Sequence, residues 1–184
     1  MHGRIPAIAF RVAIGVLSLA LVLAGARPSA AAAVTGSAGG AGTFLYAGTV
    51  PMDFAFSAVG RADGSASGTF RHTFVVAGFR YDYQGSVTCL SVDAANHRAW
   101  IGGMLTGVQT DDPTATQKPG DDAWFRVLDQ SQNTGEQDGD VSGRSTAMGF
   151  VGAIPSSAAY CALRLWPAGN ARTHPIIEGQ VSVR

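Results

Sequence analysis

FAFSAVGRADGSASGTFRHTFVVAGFRYDYQ, residues 54–84, decides the fold class. Large apolar side chains recur at alternate positions through it: Phe54 and Phe56, Phe70 and Phe74, then Phe79, Tyr81 and Tyr83. A period of two belongs to a β-strand with one face buried. Two turn signals divide the run. Ala62, Asp63 and Gly64 suit a three-residue hairpin loop, a type I turn closed by a glycine at positive φ, and Ala77-Gly78 suits a two-residue turn. The first loop pairs Arg61 with Ser65, which sets Phe56 opposite Phe70 and Phe54 opposite His72. The second pairs Val76 with Phe79, Phe74 with Tyr81, and His72 with Tyr83. A slip of one residue would turn the phenylalanines to the other face, so the pattern fixes the register. Arg71, Thr73, Arg80, Asp82 and Gln84 then share the polar face, with Arg71 diagonal to Asp82.

Outward from this core the same reading continues. Short alternating runs predict strands at 43–48, 52–60, 66–76, 79–92, 98–107, 123–129, 145–152, 158–164 and 176–183. Turn-rich stretches at 109–122 and 130–143 read as loops, and VTGSAGGAG at 34–42 as a flexible lead-in. The class is all-β: a single antiparallel β-sandwich or small barrel of about 8 to 9 strands. Residues 43–184 form one domain of ordinary size.

The first 33 residues have the order of a secretory signal peptide. Arg4 and Arg11 precede an apolar run from Val12 to Ala24, and small residues follow at Ser29 to Ala33. That apolar run is short of the ~20 residues a membrane-spanning helix needs, so cleavage is expected and the mature chain has no integral membrane segment. Ala26 stands where a lipoprotein signal carries its cysteine, which predicts a free, secreted protein without a lipid anchor. Without the leader the chain has ten basic and thirteen acidic side chains, a formal charge of −3. Scattered arginines on a mildly acidic chain argue against a nucleic-acid partner. No phosphate-binding or dinucleotide fingerprint is present, so no cofactor is expected, and the sequence names no partner.

Cys89 and Cys161 are the only cysteines. An even count in an exported chain favours a disulfide over free thiols, and neither CxxC spacing nor a neighbouring histidine supports a metal site. A bend or bulge near Gly85 would carry Val87 and Cys89 to the inward side. His72, between Phe54 and Tyr83, is the candidate ligand contact, against the plainer role of a core histidine hydrogen-bonded to a tyrosine hydroxyl or a carbonyl. Phe54, Tyr81 and Tyr83 complete that candidate site, against the plainer role of core aromatics. Asp129, Glu136, Asp138 and Asp140 crowd one loop and raise calcium, but the spacing is not that of an EF-hand and favours a solvated acidic loop. AANH at 94–97 and GDVSG at 139–143 echo trypsin-like motifs, yet the second has an extra residue between Asp140 and Ser142. A triad is defined by geometry and not by such fragments.

FAFSA at 54–58, DGSASGTF at 63–70, GSVTCLSVD at 85–93, RAWIGG at 98–103 and DAWFRVLD at 122–129 together resemble a group of small, uncharacterised bacterial exported proteins. The resemblance implies an exported β domain with one cysteine pair, and it brings no activity or catalytic residue. The expected function is a non-enzymatic binding or surface-associated module. The alternatives are a small-barrel carrier whose cavity is lined by Phe54, Phe70, His72, Phe74, Tyr81 and Tyr83, and an exported hydrolase built on His72 or His97 with Ser142 or a carboxylate.

Overall fold

The central hairpins form in the register their sequence specifies. In the computed structural model, which describes residues 32–131, 142–150 and 152–184, β2 (Val50–Arg61), β3 (Ala66–Val76) and β4 (Phe79–Asp93) are consecutive antiparallel strands. Phe56 pairs with Phe70, Phe54 with His72, Phe74 with Tyr81, and His72 with Tyr83. The first turn has Gly64 at φ 81°, and in the second both Ala77 (φ 52°) and Gly78 (φ 87°) are left-handed. That pair of values is the one a two-residue type I′ hairpin requires. Arg71 donates through Nε and Nη2 to the two carboxylate oxygens of Asp82, at 2.9 and 2.5 Å.

Strand follows strand around a closed circuit. β4 pairs with β5 (Arg98–Thr110), and β5 with β6 (Asp122–Asp129). β6 pairs with β7 (Gly143–Ser145) and with the two-residue β8 (Gly149–Phe150). β9 (His174–Val183) joins β7 to β1 (Val34–Tyr46), and β1 returns to β2. The described strands thus form one antiparallel sheet in which eight close into a ring, with β8 as an added pairing on β6. Its interior holds Phe44, Phe54, Phe56, Phe70, Tyr83, Ile101, Leu105, Phe125 and Val127.

Three expectations about the strand layout are corrected. Residues 34–42 are not a lead-in: they are the first part of β1, paired with β2 on one edge and β9 on the other. The expected strand at 158–164 is a helix, α1 (Ser157–Leu163). Ser156 caps it, its hydroxyl accepting from the Ala159 N–H at 3.1 Å, and the buried residues Ser157, Tyr160 and Cys161 fall at i, i+3 and i+4. The expected strand at 145–152 is two short pieces, β7 and β8.

α1 packs against β4, β5 and β6 outside the ring, and there Cys89 is bridged to Cys161, with Cα atoms 6.2 Å apart. Cys89 therefore does not share the inward face of Tyr83 and Val87. Between Val87 and Cys89 the β4–β5 register shifts and leaves Thr88 unpaired, so the inward side passes from odd residues to Leu90 and Val92. The shift near Gly85 is a different one. There the extra residue, Thr106, belongs to β5 and leaves the facing of β4 unchanged. Gly102, opposite Cys89, lets the helix lie close: a Cβ there would stand 2.8 Å from the Cys89 sulfur and 2.9 Å from Ser157 Cβ.

Among the described residues, no helix is long and apolar enough to cross a membrane. Residues 1–31 of the expected leader lie outside the described residues.

Candidate functional site

The side chains first expected to meet a ligand are turned toward one another. His72 is fully buried, 5.0 Å from the ring of Phe125 and 6.3 Å from that of Phe54, centroid to centroid. Neither of its ring nitrogens has a hydrogen-bond partner. Burial alone pushes its pKa down to about 4, so the imidazole is neutral. The tyrosine hydroxyls point elsewhere, to the loop after β5: Tyr81 donates to Asp112, and Tyr83 to Gln117 Oε1 at 3.2 Å. Phe54 is likewise buried in the interior cluster.

The other sequence candidates are dispersed. Asp129 is buried and its carboxylate accepts from the Ser131 N–H and hydroxyl and from the Val183 N–H. Glu136, Asp138 and Asp140 lie outside the described residues. Among the described residues, no three His, Cys, Asp or Glu side chains are grouped to hold a metal ion. Ser142 donates its hydroxyl to the Gly179 carbonyl at 2.7 Å, and His97 closes the tight turn between β4 and β5 with φ 53°.

A different site stands on the outer face. β6 has both faces buried: Ala123, Phe125 and Val127 enter the ring, and Trp124 and Arg126 face the opposite way. The segment from Ile154 to Arg172, with α1 inside it, covers that second face. Trp124 stacks on Tyr160 at 5.7 Å and 24°, and Trp100 meets Trp166 edge-on at 5.7 Å and 88°. Trp100 Nε1 donates to the Leu165 carbonyl at 3.0 Å, and Trp166 Nε1 to Asn170 Oδ1 at 2.9 Å.

Beside this layer lies a cavity of about 540 Å³. Its apolar walls are Tyr46, Trp124, Ile154, Leu165 and Pro167, and its polar lining includes Arg126, Thr146, Arg172 and His174. Arg126 is only 6 % exposed. Its Nη2 donates to the Ala171 carbonyl at 2.6 Å and its Nη1 more weakly to the Leu165 carbonyl at 3.4 Å, while its Nε has no partner. The guanidinium carbon sits 5.1 Å from the centre of the Trp166 ring, which Arg98 also approaches, at 4.7 Å. No carboxylate offsets the charge: the ion pairs among the described residues are Arg71–Asp82 and Lys118–Asp121. Burial pushes the Tyr160 phenol up to about 12, against the opposing pull of the neighbouring Arg126 guanidinium. His174 is held below the ordinary histidine value, first by burial and then by the charge of Arg144, and its ring stacks on Phe44 at 5.7 Å.

The sequence carried one sign of this site. DAWFRVLD alternates two sets of bulky residues, so neither face of its strand suits water and a covering layer is implied. No protein family matches the chain, and comparison with curated proteins and with solved structures finds no similar one.

Proposed function

We propose that the chain is a secreted, non-enzymatic binding module that takes a small molecule in the outer-face cavity beside β6. One contrast carries the reading. The ring interior is filled by its own aromatic side chains, whereas the outer face offers a cavity of about 540 Å³ with mainly apolar walls and a few converging polar groups. That volume and lining are typical of small-molecule sites. Secretion is supported by the tripartite leader and by the disulfide, which an oxidising compartment preserves. The group of small bacterial exported proteins that the sequence resembles is the context we propose for it.

The interior-carrier alternative places the ligand among Phe54, Phe70, His72, Phe74, Tyr81 and Tyr83, of which Phe54, Phe70, His72 and Tyr83 are each at most 4 % exposed and Phe74 and Tyr81 half-buried. A ligand there would have to displace packed rings. Fragment screening by NMR on the isotope-labelled protein separates the two sites. Binding in the outer cavity shifts the indole N–H of Trp124 and the amides of Thr146 and Leu165. Shifts confined to the amides of Phe54, His72 and Phe125 would move the ligand inside the ring and overturn the proposal.

A further inference from the structure

We propose that the cavity binds small amphipathic carboxylic acids as their anions, the carboxylate at Arg126 and Arg172 and the apolar body against Trp124, Ile154 and Leu165. This rests on reading the cavity as a ligand site and names its ligand class. The starting point is the charge on Arg126, which is buried with no carboxylate partner among the described residues. Taking a guanidinium out of water is costly unless an anion or a full set of acceptors replaces the water. Two carbonyls, the neighbouring Tyr160 hydroxyl and the face of Trp166 supply part of that set and leave the buried Nε without a partner.

Arg172 adds a second guanidinium on the same cavity. It is exposed and held at φ 66°, a left-handed conformation that is sparsely populated outside glycine, next to the Ala171 carbonyl that holds Arg126. Among the described residues no Asp or Glu lines the cavity, although the chain beyond the leader is net acidic. The positive charge is therefore local to this site.

Guanidinium groups match a carboxylate in shape and donor spacing. A phosphate would bring more charge and more acceptors than one unpartnered Nε and a rim arginine satisfy, and it would leave the apolar walls unused. An acid with a short aliphatic or aromatic body uses both halves of the lining.

The test is titration of the labelled protein with benzoate and hexanoate, with the neutral benzamide and hexanamide, and with inorganic phosphate, followed at the Trp124 indole N–H. The acids should shift that signal saturably and bind at least tenfold more tightly than their amides. Arg172→Gln, at an exposed position, should weaken the acids at least fivefold and leave the amides unchanged. Arg126→Lys, which keeps the charge and loses the fork, should do the same where it folds. Equal binding of acid and amide overturns the anion assignment and leaves the cavity as a ligand site. Saturable shifts from phosphate alone overturn the amphipathic acid as the ligand class. If none of the five probes shifts the cavity signals, the ligand-site reading falls with the inference.

Discussion

His72 has an apolar surround on every side that its neighbours define: Phe44, Phe54 and Phe125. The sequence suggests a core histidine hydrogen-bonded to a tyrosine hydroxyl or a backbone carbonyl, yet neither ring nitrogen has a partner. The tyrosines are engaged elsewhere: Tyr83 across the strand pair directs its hydroxyl to Gln117 and Tyr81 directs its own to Asp112. Register places rings opposite one another but does not decide where their polar tips point. The consequence is a pH dependence with a definite sign. With its pKa lowered from 6.5 to about 4 in the folded state, His72 takes up a proton more readily when the chain unfolds. Its contribution is whole above pH 6.5, declines as the pH falls, and by pH 4 is smaller by about 3 kcal/mol, at ~1.36 kcal/mol for each tenfold difference in proton affinity. Urea unfolding of the wild type and of His72→Leu at pH 7, 5 and 4 measures this effect as a difference. The variant should match or exceed wild-type stability at pH 7 and lose less on acidification. Parallel pH profiles for the two proteins would mean that His72 is not the group responsible.

At the scale of elements, the hairpins were legible because everything that sets them is local: turn chemistry, two-residue periodicity and a register that a single slip would spoil. The parity change in β4 was also written down. Tyr81, Tyr83 and Val87 are odd and Leu90 and Val92 are even, so the apolar pattern itself changes phase at Thr88. α1 was obscured because its Ala, Tyr and Cys residues fit a strand alternation as well as a helical face. The Ser156 cap and the good helix-forming alanines were the local signal that favoured the helix. The placement of α1 gives the disulfide a specific task, which is to pin the helix and its covering segment to the outside of β4. Replacing Cys89 and Cys161 together with serine should cost about 4 kcal/mol, the chain-entropy figure for a loop of 72 residues. The loss should also be visible in place. Hydrogen exchange at Tyr160, Cys161 and Leu163 should speed up more than at Phe70 and Phe125, because the interior does not contain the bridge. Equal acceleration at both sets would place the disulfide in the main core.

The whole molecule depends on contacts that no local pattern announces. β1 reads as a Gly-rich tail because its first nine residues include Gly36, Gly39, Gly40 and Gly42, which carry no apolar side chain to alternate. It is a strand because β2 and β9 lie on its two edges, and glycine is what the close approach of β9 allows. A Cβ at Gly42 would stand 2.1 Å from the Glu178 carbonyl oxygen. Across that seam Gly179, paired with Gly42, sits at φ 89°, and a Cβ on it would stand 2.1 Å from the Ala41 carbonyl oxygen. Gly179→Val therefore combines a clash with a backbone conformation that a β-branched residue does not tolerate, at a position where the ring closes. It should destabilise the protein by more than about 2 kcal/mol, the scale of a strained backbone plus a lost ladder. The damage should centre on the seam: the amides of Gly40 to Thr43 and of Gln180 to Val183 should exchange at least tenfold faster relative to those of Phe70 to Phe74. Opening the ring also leaves two unpaired strand edges, which invite pairing with a second chain. The variant should accordingly self-associate on size-exclusion chromatography at concentrations where the wild type elutes at its original volume. A monomeric Gly179→Val protein with uniform loss of protection would mean that the β1–β9 seam and the β2–β3–β4 hairpins yield as one cooperative unit.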